Sequence, residues 1–282
     1  MKKSSIFIFT LSLFAGINIS SYSQNLLKDV RYSKVDSLKC IEVLNKFRND
    51  RNLPTNELVT YIALDFLETE YVASTLELEP EMLTINLLET DCILFVEMCT
   101  ALAMTIKGDT PSFEKYCENV RKMRYINGVV DGYASRNHYT SGWIIQNENH
   151  LIMKEITHDL GGEKIEQQFF FMSKNFDKYK QLKENSGLVP AIKEVENALN
   201  MRNYYSLKKE KIDINRDKIK NGDIVCFVSS VKGLDISHVG FAYHVGDELH
   251  FIHASSSEMK VVIEKKTLQN YTKTGIRVVR LN

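Results

Sequence analysis

Cys92 stands at the head of an apolar run, TDCILFVEMCTALAMTIK, and two histidines, His238 and His253, lie on a distant alternating segment, SHVGFAYHVGDELHFIH. A thiol in the first turn of a helix meets unpaired backbone N–H groups and the positive end of the helix dipole. Both favour the thiolate, which is the attacking species. The same N–H groups, that of Cys92 included, are the donors a tetrahedral oxyanion needs. One histidine can then supply the base and the other its orienting partner. The chemistry suggested is acyl transfer at a cysteine, as in a cysteine hydrolase.

That chemistry is conditional on geometry. Strand alternation puts His238, Gly240 and Ala242 on one face and Val239, Phe241 and Tyr243 on the other. His253 shares the face of His238 only if the intervening turn has an even number of residues. A four-residue loop, His244 to Asp247, sets the two histidines opposite each other. A two-residue loop, Gly246-Asp247, offsets them by two positions on the same face, and an odd loop separates them. Small residues beside His238 leave room for the helix carrying Cys92 to approach. The competing structural readings are a core cysteine and hydrogen-bonded strand histidines. A metal site is disfavoured because neither CxxC nor HExxH spacing occurs. His150 and His158 lie in polar stretches and read as surface residues.

The elements that must hold these residues follow from periodicity. Helical spacing covers Val35 to Asn49 and, after Pro54, Thr55 or Asn56 to Leu67. Tyr71 to Leu88 is irregular and reads as a loop crossing the protein. The run from Cys92 to about Ile106 is apolar nearly all round, so it predicts a buried central helix, capped by Thr90 or Asp91 and ended by Gly108 and Pro111. A shorter helix is expected from Ser112 to Arg124. Tyr125 to Trp143 has the composition of a long functional loop, with helical spacing returning over Tyr139 to Gln146. Gln167 to Met172 reads as a strand, and Asn175 to Gln181 and Val189 to Leu199 as helices. The last third changes to strand period: Asp223 to Val228, Val239 to His244, Leu249 to Ala254, Lys260 to Ile263 and Gly275 to Leu281. Helices first and a meander afterwards predict an α+β fold.

Residues 1–23 have the form of a signal peptide: Lys2 and Lys3, an apolar core from Ile6 to Ala15, and Ser21-Tyr22-Ser23 before Gln24. An uncleaved anchor is the alternative. The core is short for a membrane span, and no later segment is long enough to be one. Without Lys2 and Lys3 the basic side chains fall two short of the 36 acidic ones, a balance that leaves no footprint for nucleic acid. Residues 24–282 suit one domain with an N-terminal helical elaboration. The cysteines number five, so at least one thiol stays unpaired within the chain; Cys92 is the choice, with Cys40, Cys99, Cys117 and Cys226 as buried thiols or bridges.

TDCILFVEMCTAL resembles the DCxxFV signature of NlpC-type, papain-like cell-wall cysteine peptidases. NGDIVCFV followed by SHVGFAYHVGDELHFIHAS is similar to their barrel strands. That resemblance implies a papain-like fold, a Cys-bearing central helix on an antiparallel sheet or half-barrel, with additional N-terminal helices and long loops. It makes Cys92 the nucleophile, His238 the base and His253 the orienting residue, and EYVASTLE suggests Tyr71 near the site. RYINGVVDGYASRNHYTSGWI resembles the N-acetylmuramoyl-L-alanine amidase-like subfamily of exported bacterial proteins, through Gly132, Tyr133, Ser135, Arg136, His138, Tyr139 and Trp143. This resemblance extends from about Tyr71 to the end. The NlpC-type approach segment usually has Gly and Pro where this chain has Glu68 and Glu70, and the amidase-like pattern has an acid where this chain has Gly142. The resemblance implies a peptidoglycan or muropeptide substrate; no cofactor and no metal are expected, and the leader adds a periplasmic or secreted location. The loop residues Arg136, His138, Tyr139 and Trp143 suit a substrate wall: aromatic faces for sugar or alkyl surface and Arg136 for a carboxylate. For His138 an internal hydrogen bond is an equal alternative. The bond expected is that between N-acetylmuramic acid and L-alanine. The alternatives are cleavage within the stem peptide, and a non-catalytic wall-binding protein.

Overall fold

A computed structural model describes residues 27–282, so the leader expected at 1–23 lies outside the described residues. Strand β1 (Val30–Arg31) precedes helix α1 (Lys34–Lys46). Ser33 and Asp36 form a capping box, and the second oxygen of Asp36 accepts the Leu87 N–H at 2.9 Å. One carboxylate thus closes a helix end and pins the irregular segment that leads to the nucleophile helix. Helix α2 (Thr55–Asp65) follows, then three short strands, β2 (Glu70–Tyr71), β3 (Leu83–Thr84) and β4 (Glu89–Thr90). The segment expected as loop therefore also carries edge pairing: β3 pairs with β1 and β4 with β2, both in parallel.

Helix α3 (Cys92–Lys107) is the central helix. Asp91 is its N-cap, accepting the Leu94 N–H at 2.9 Å, and Gly108 ends it. Its nearly continuous apolar surface is buried on all sides, as such a surface must be. Helix α4 (Phe113–Arg124), capped by Ser112, packs beside it. Glu97 of α3 is buried and accepts hydrogen bonds from Arg124 Nε at 2.8 Å and from the indole N–H of Trp143 at 3.0 Å. Trp143 belongs to α5 (Thr140–Asn149), so one carboxylate fixes three helices. Arg124 Nη1 also donates to the Thr84 carbonyl at 2.7 Å.

The chain then forms β5 (Met153–Glu155), β6 (Glu163–Ile165), α6 (Phe171–Lys174), α7 (Lys180–Glu184), α8 (Val189–Asn200) and β7 (Tyr204–Ser206). The strand expected over Gln167 to Met172 does not form. The Asn200 side chain accepts the Phe169 N–H and donates to its carbonyl, at 2.9 and 3.0 Å, taking the bonds a neighbouring strand would have made. The remaining elements are β8 (Ile224–Val228), β9 (Ile236–Val245), β10 (Glu248–Ser255), β11 (Lys260–Ile263), α9 (Leu268–Tyr271) and β12 (Ile276–Leu281). The large sheet has the order β4-β2-β11-β10-β9-β8-β12-β5. It is antiparallel except at its β2–β4 edge, so the fold is α+β with a mixed sheet rather than a wholly antiparallel one.

Helix α3 lies on the face bearing Val239, Phe241, Ile252 and Ala254, with the Phe95 and Phe241 rings 5.7 Å apart. The opposite face buries Phe227, Ala242, Phe251 and Val278 in a second core. No helix among the described residues is long and apolar enough to cross a membrane.

Candidate active site

The turn between β9 and β10 is the two-residue Gly246-Asp247, with Val245 paired to Glu248 and Phe241 to Ile252. Counting on along this ladder, Gly240 faces His253 and His238 lies two positions away on the same face. The imidazoles meet on that diagonal: His238 Nε2 and His253 Nδ1 are 2.6 Å apart. Gly240 makes the approach possible. A Cβ there would fall 2.6 Å from the Ile252 carbonyl oxygen and 3.0 Å from His253 Cβ. The small residues beside His238 therefore admit the neighbouring strand. They do not admit the central helix, which covers the other face of the sheet.

Cys92 is tied to β9 through the backbone of Val239. Its thiol lies where the N–H groups of Val239, Ile93 and Cys92 itself favour the thiolate. Val239 follows His238 directly, and the β8–β9 ladder is irregular just beyond, between Phe227 and Val228. No hydrogen bond joins Cys92 to His238 among the described residues. The thiolate preference expected of a helix N-terminus does not prevail at rest. Burial, and then the adjacent Asp91, push the Cys92 thiol up to about 12. Burial, and then the neighbouring His253, push His238 down to about 3, while Glu264 opposes; burial alone takes His253 down to about 4. At neutral pH the resting site thus holds a neutral thiol beside two neutral imidazoles.

Tyr71 is paired with Thr90 in the β2–β4 ladder, which sets it beside Cys92. Burial, and then Cys92 and Asp91, raise its hydroxyl above the usual tyrosine range. Tyr271 of α9, which the periodicity did not single out, has its ring 6.2 Å from that of His238 and 5.9 Å from that of His253. A cleft of about 500 Å³ opens at His238, lined also by Ser237, Ser256, Lys266, Tyr271 and Lys273. A larger groove of about 780 Å³ runs along α8 and contains none of these residues. All five cysteines are free thiols. No group of three His, Cys, Asp or Glu side chains among the described residues is placed to hold a metal ion.

The segment expected as a substrate wall is largely interior. Trp143 and Tyr139 are buried; the Trp143 indole donates to Glu97, and the Tyr139 hydroxyl donates to Glu196 at 2.7 Å. Arg136 is ion-paired to Glu77 at 3.0 Å and to Glu81 at 3.3 Å, and its guanidinium lies over the Tyr133 ring. It holds two carboxylates of its own chain. His138 Nε2 bonds the Tyr133 carbonyl at 2.8 Å, and burial, then Arg136, push it down to about 3. As they stand, these four residues tie the loop to the body of the fold. A local signal existed only for Glu97, an acid inside the apolar run CILFVEMC; the partners of Glu77, Glu81 and Glu196 are distant in sequence and their stretches are polar.

A family model described as AmiA-like, N-acetylmuramoyl-L-alanine amidase-like, matches residues 61–276. An N-acetylmuramoyl-L-alanine amidase from Bacteroides uniformis ATCC 8492 has a similar structure: TM-score 0.77 and 32% identity, covering 81% of this chain and 99% of that one. A Bacteroides fragilis structure described as a "putative xylanase" gives a TM-score of 0.74 at 36% identity, covering 78% and 99%. A Legionella pneumophila protein shares the fold, with a TM-score of 0.63 at 22% identity, covering 89% and 97%. No curated protein matches the sequence.

Proposed function

Because the chain belongs to the N-acetylmuramoyl-L-alanine amidase-like family, we propose that it is an exported cysteine amidase that cleaves an amide bond of peptidoglycan. The observation that carries the reading is the His238–His253 contact of 2.6 Å, one residue from the Val239 N–H that faces the Cys92 thiol. A nucleophile at a helix start, a base on the adjoining strand and a third residue holding the base form the constellation of acyl transfer. The same order, a DCILFV helix followed by antiparallel strands carrying both histidines, supports membership of the NlpC-type, papain-like cysteine peptidases.

In the first step Cys92 Sγ attacks the amide carbonyl carbon as His238 takes the thiol proton. The oxyanion is met by backbone N–H groups at the start of α3. Collapse of the tetrahedral intermediate breaks the C–N bond, and His238 passes its proton to the leaving amine. Water, deprotonated by His238, then hydrolyses the thioester and returns the thiol. Because the thiol is neutral at rest, its proton leaves during attack rather than beforehand. The amide favoured joins the lactyl carbonyl of N-acetylmuramic acid to L-alanine. Tyr71 and Tyr271 stand beside Cys92 and the histidines as apolar faces for the substrate. Family membership also supports export through the leader at 1–23.

Glycoside cleavage is not favoured. It needs two carboxylates flanking the scissile bond, whereas Asp91 caps α3 and Glu264 lies behind His253. The deciding experiment compares wild type with Cys92→Ala on purified muropeptides, with products weighed by mass spectrometry. Free lactyl carboxylates from wild type alone support the proposal. Split stem peptides move the bond to the endopeptidase alternative. No turnover by wild type leaves the wall-binding reading, and equal activity of the variant ends the cysteine mechanism.

A further inference from the structure

His253 is buried, and its Nδ1 is occupied by His238, yet its Nε2 has no hydrogen-bond partner. The group facing that nitrogen is the Glu264 carboxylate, with Oε2 at 3.4 Å. This acid is held in place from several directions. Its N–H donates to the Phe251 carbonyl at 2.9 Å, and its own carbonyl bonds His250 Nδ1 at 2.9 Å. Its Oε1 accepts the Lys266 N–H at 3.0 Å, which turns Oε2 toward His253. Strand alternation agrees: His253 pairs with Val262, and Glu264 lies two residues further along the same chain, on the same face.

Hydrogen-bond direction then propagates along the row. A carboxylate facing this nitrogen at 3.4 Å attracts a proton there and can only accept, so it favours the His253 tautomer protonated on Nε2, which presents a lone pair at Nδ1. In that tautomer the bond to His238 runs from His238 Nε2–H to His253 Nδ1. A neutral imidazole has one proton, so His238 Nδ1 is left with a lone pair. We propose that Glu264 is a positioning residue that, through His253, sets the tautomers of both histidines and so leaves His238 Nδ1 as the free base for the Cys92 proton. This deepens the amidase reading and rests on it for its catalytic meaning, though the tautomers themselves are a property of the resting protein.

The wiring has a consequence that shape alone would not produce. In Glu264→Gln the amide oxygen is needed by the Lys266 N–H, so the amide NH2 faces His253 Nε2. That nitrogen becomes an acceptor, the proton of His253 moves to Nδ1, and the His238 bond reverses. His238 then carries its proton on Nδ1 and has no lone pair for the thiol. The isosteric variant is accordingly expected to be worse than Glu264→Ala, which imposes no direction. A purely structural carboxylate would give the opposite order.

The test is 15N–1H long-range NMR on the full chain labelled with 15N-histidine, at a pH where the imidazoles are neutral, with His238→Ala identifying the resonances. Wild type is expected to show the Nε2–H tautomer of His238, E264Q the Nδ1–H tautomer, and E264A a mixture. On muropeptides, kcat/KM is expected to fall about a hundredfold or more for E264Q, and less for E264A. An Nδ1–H tautomer of His238 in wild type overturns the proposal without any variant. An unchanged His238 tautomer in E264Q overturns it too, as does E264Q activity equal to or above that of E264A. If instead Cys92→Ala remains active while the tautomer switches as expected, the amidase mechanism fails and the wiring stands.

Discussion

Gly240→Ala is the most direct perturbation of the histidine pair that leaves both histidines in place. The added methyl carbon would lie 2.6 Å from the Ile252 carbonyl oxygen and 3.0 Å from both His253 Cβ and the Phe251 ring. An ordinary contact between a methyl carbon and an oxygen is roughly 3.3 Å or longer, so β9 and β10 must separate by about half an ångström or more at this point. A carbonyl oxygen is backbone and cannot rotate away. Overpacking of this kind costs about 1–3 kcal/mol, which for a chain of this size lowers Tm by roughly 2–6 °C. The same displacement lengthens the 2.6 Å His238–His253 contact to about 3.1 Å, the long end of the hydrogen-bonding range. A proposed base so displaced and less firmly oriented is expected to lower kcat/KM about 10–100-fold. Calorimetry and turnover of purified muropeptides measure the two effects separately. Gly161→Ala is the control: its φ of +81° brings backbone strain, but its added methyl meets nothing within 4 Å. It should lose stability without losing kcat/KM at saturating temperature margins. Wild-type Tm and turnover in Gly240→Ala would refute the packing argument. A lowered Tm with unchanged kcat/KM would refute the link from this glycine to the base.

Glu97→Gln removes the charge that balances buried Arg124 and is expected to cost about 3–5 kcal/mol in urea melts. Trp143→Phe keeps an aromatic ring but loses the bond to Glu97 and part of the buried indole volume, so about 1–3 kcal/mol or more of stability should go while kcat/KM stays near wild type; a selective rise in KM would instead return Trp143 to the substrate. Acid should destabilise the fold well above the carboxylate range. His138, His238 and His253 are held to about 3, 3 and 4 against 6.5 when free, so the unfolded chain binds more protons in that window. Stability is complete above pH 6.5 and falls as pH drops toward 4, by up to about 1.4 kcal/mol per pH unit for each histidine, and equal urea midpoints at pH 7.5 and 5 would contradict this. Iodoacetamide should label Cys92 more slowly than a free cysteine at pH 7 and about tenfold faster per unit as pH rises, since the thiol is held up to about 12; rapid labelling at pH 5–6 would reveal a preformed thiolate instead.

Much of this site was readable because its rules are local. The helix from Cys92 follows from an apolar run with a capping Asp91, and the shared face of His238 and His253 from a Gly-Asp turn of even length. What escaped was set by contacts between distant residues. The parallel β2–β4 pair that brings Tyr71 to Thr90 is two residues long on each side, too short for any period to register. Asn200 replaces a strand partner for Phe169, an arrangement invisible in the Gln167 to Met172 pattern itself. The SRNHY segment has the composition of an exposed binding loop, yet Arg136 and Tyr139 find carboxylates at Glu77, Glu81 and Glu196 and turn inward. Composition reports that a polar group needs a partner; it does not say whether that partner is a ligand or the protein.

The electrostatic state of the centre is compatible with the proposed role of a buried thiol as nucleophile. Cys92, His238 and His253 are all neutral at rest, because burial penalises each charged form more than its neighbours favour it. Moving the proton from Sγ to His238 creates an opposite pair, and an ion pair formed at contact is far less costly in a dry site than either ion alone. Attack then transfers the negative charge to the carbonyl oxygen, where backbone N–H groups already point, while the positive charge stays on an imidazole already tied to a second one. Each group is therefore arranged for the charge it bears in the transition state rather than at rest. On the proposed wiring, a proton on His238 Nδ1 would leave every contact in place and the thiol without a base, so the direction of the bond between the two histidines would by itself separate a catalyst from a wall-binding protein.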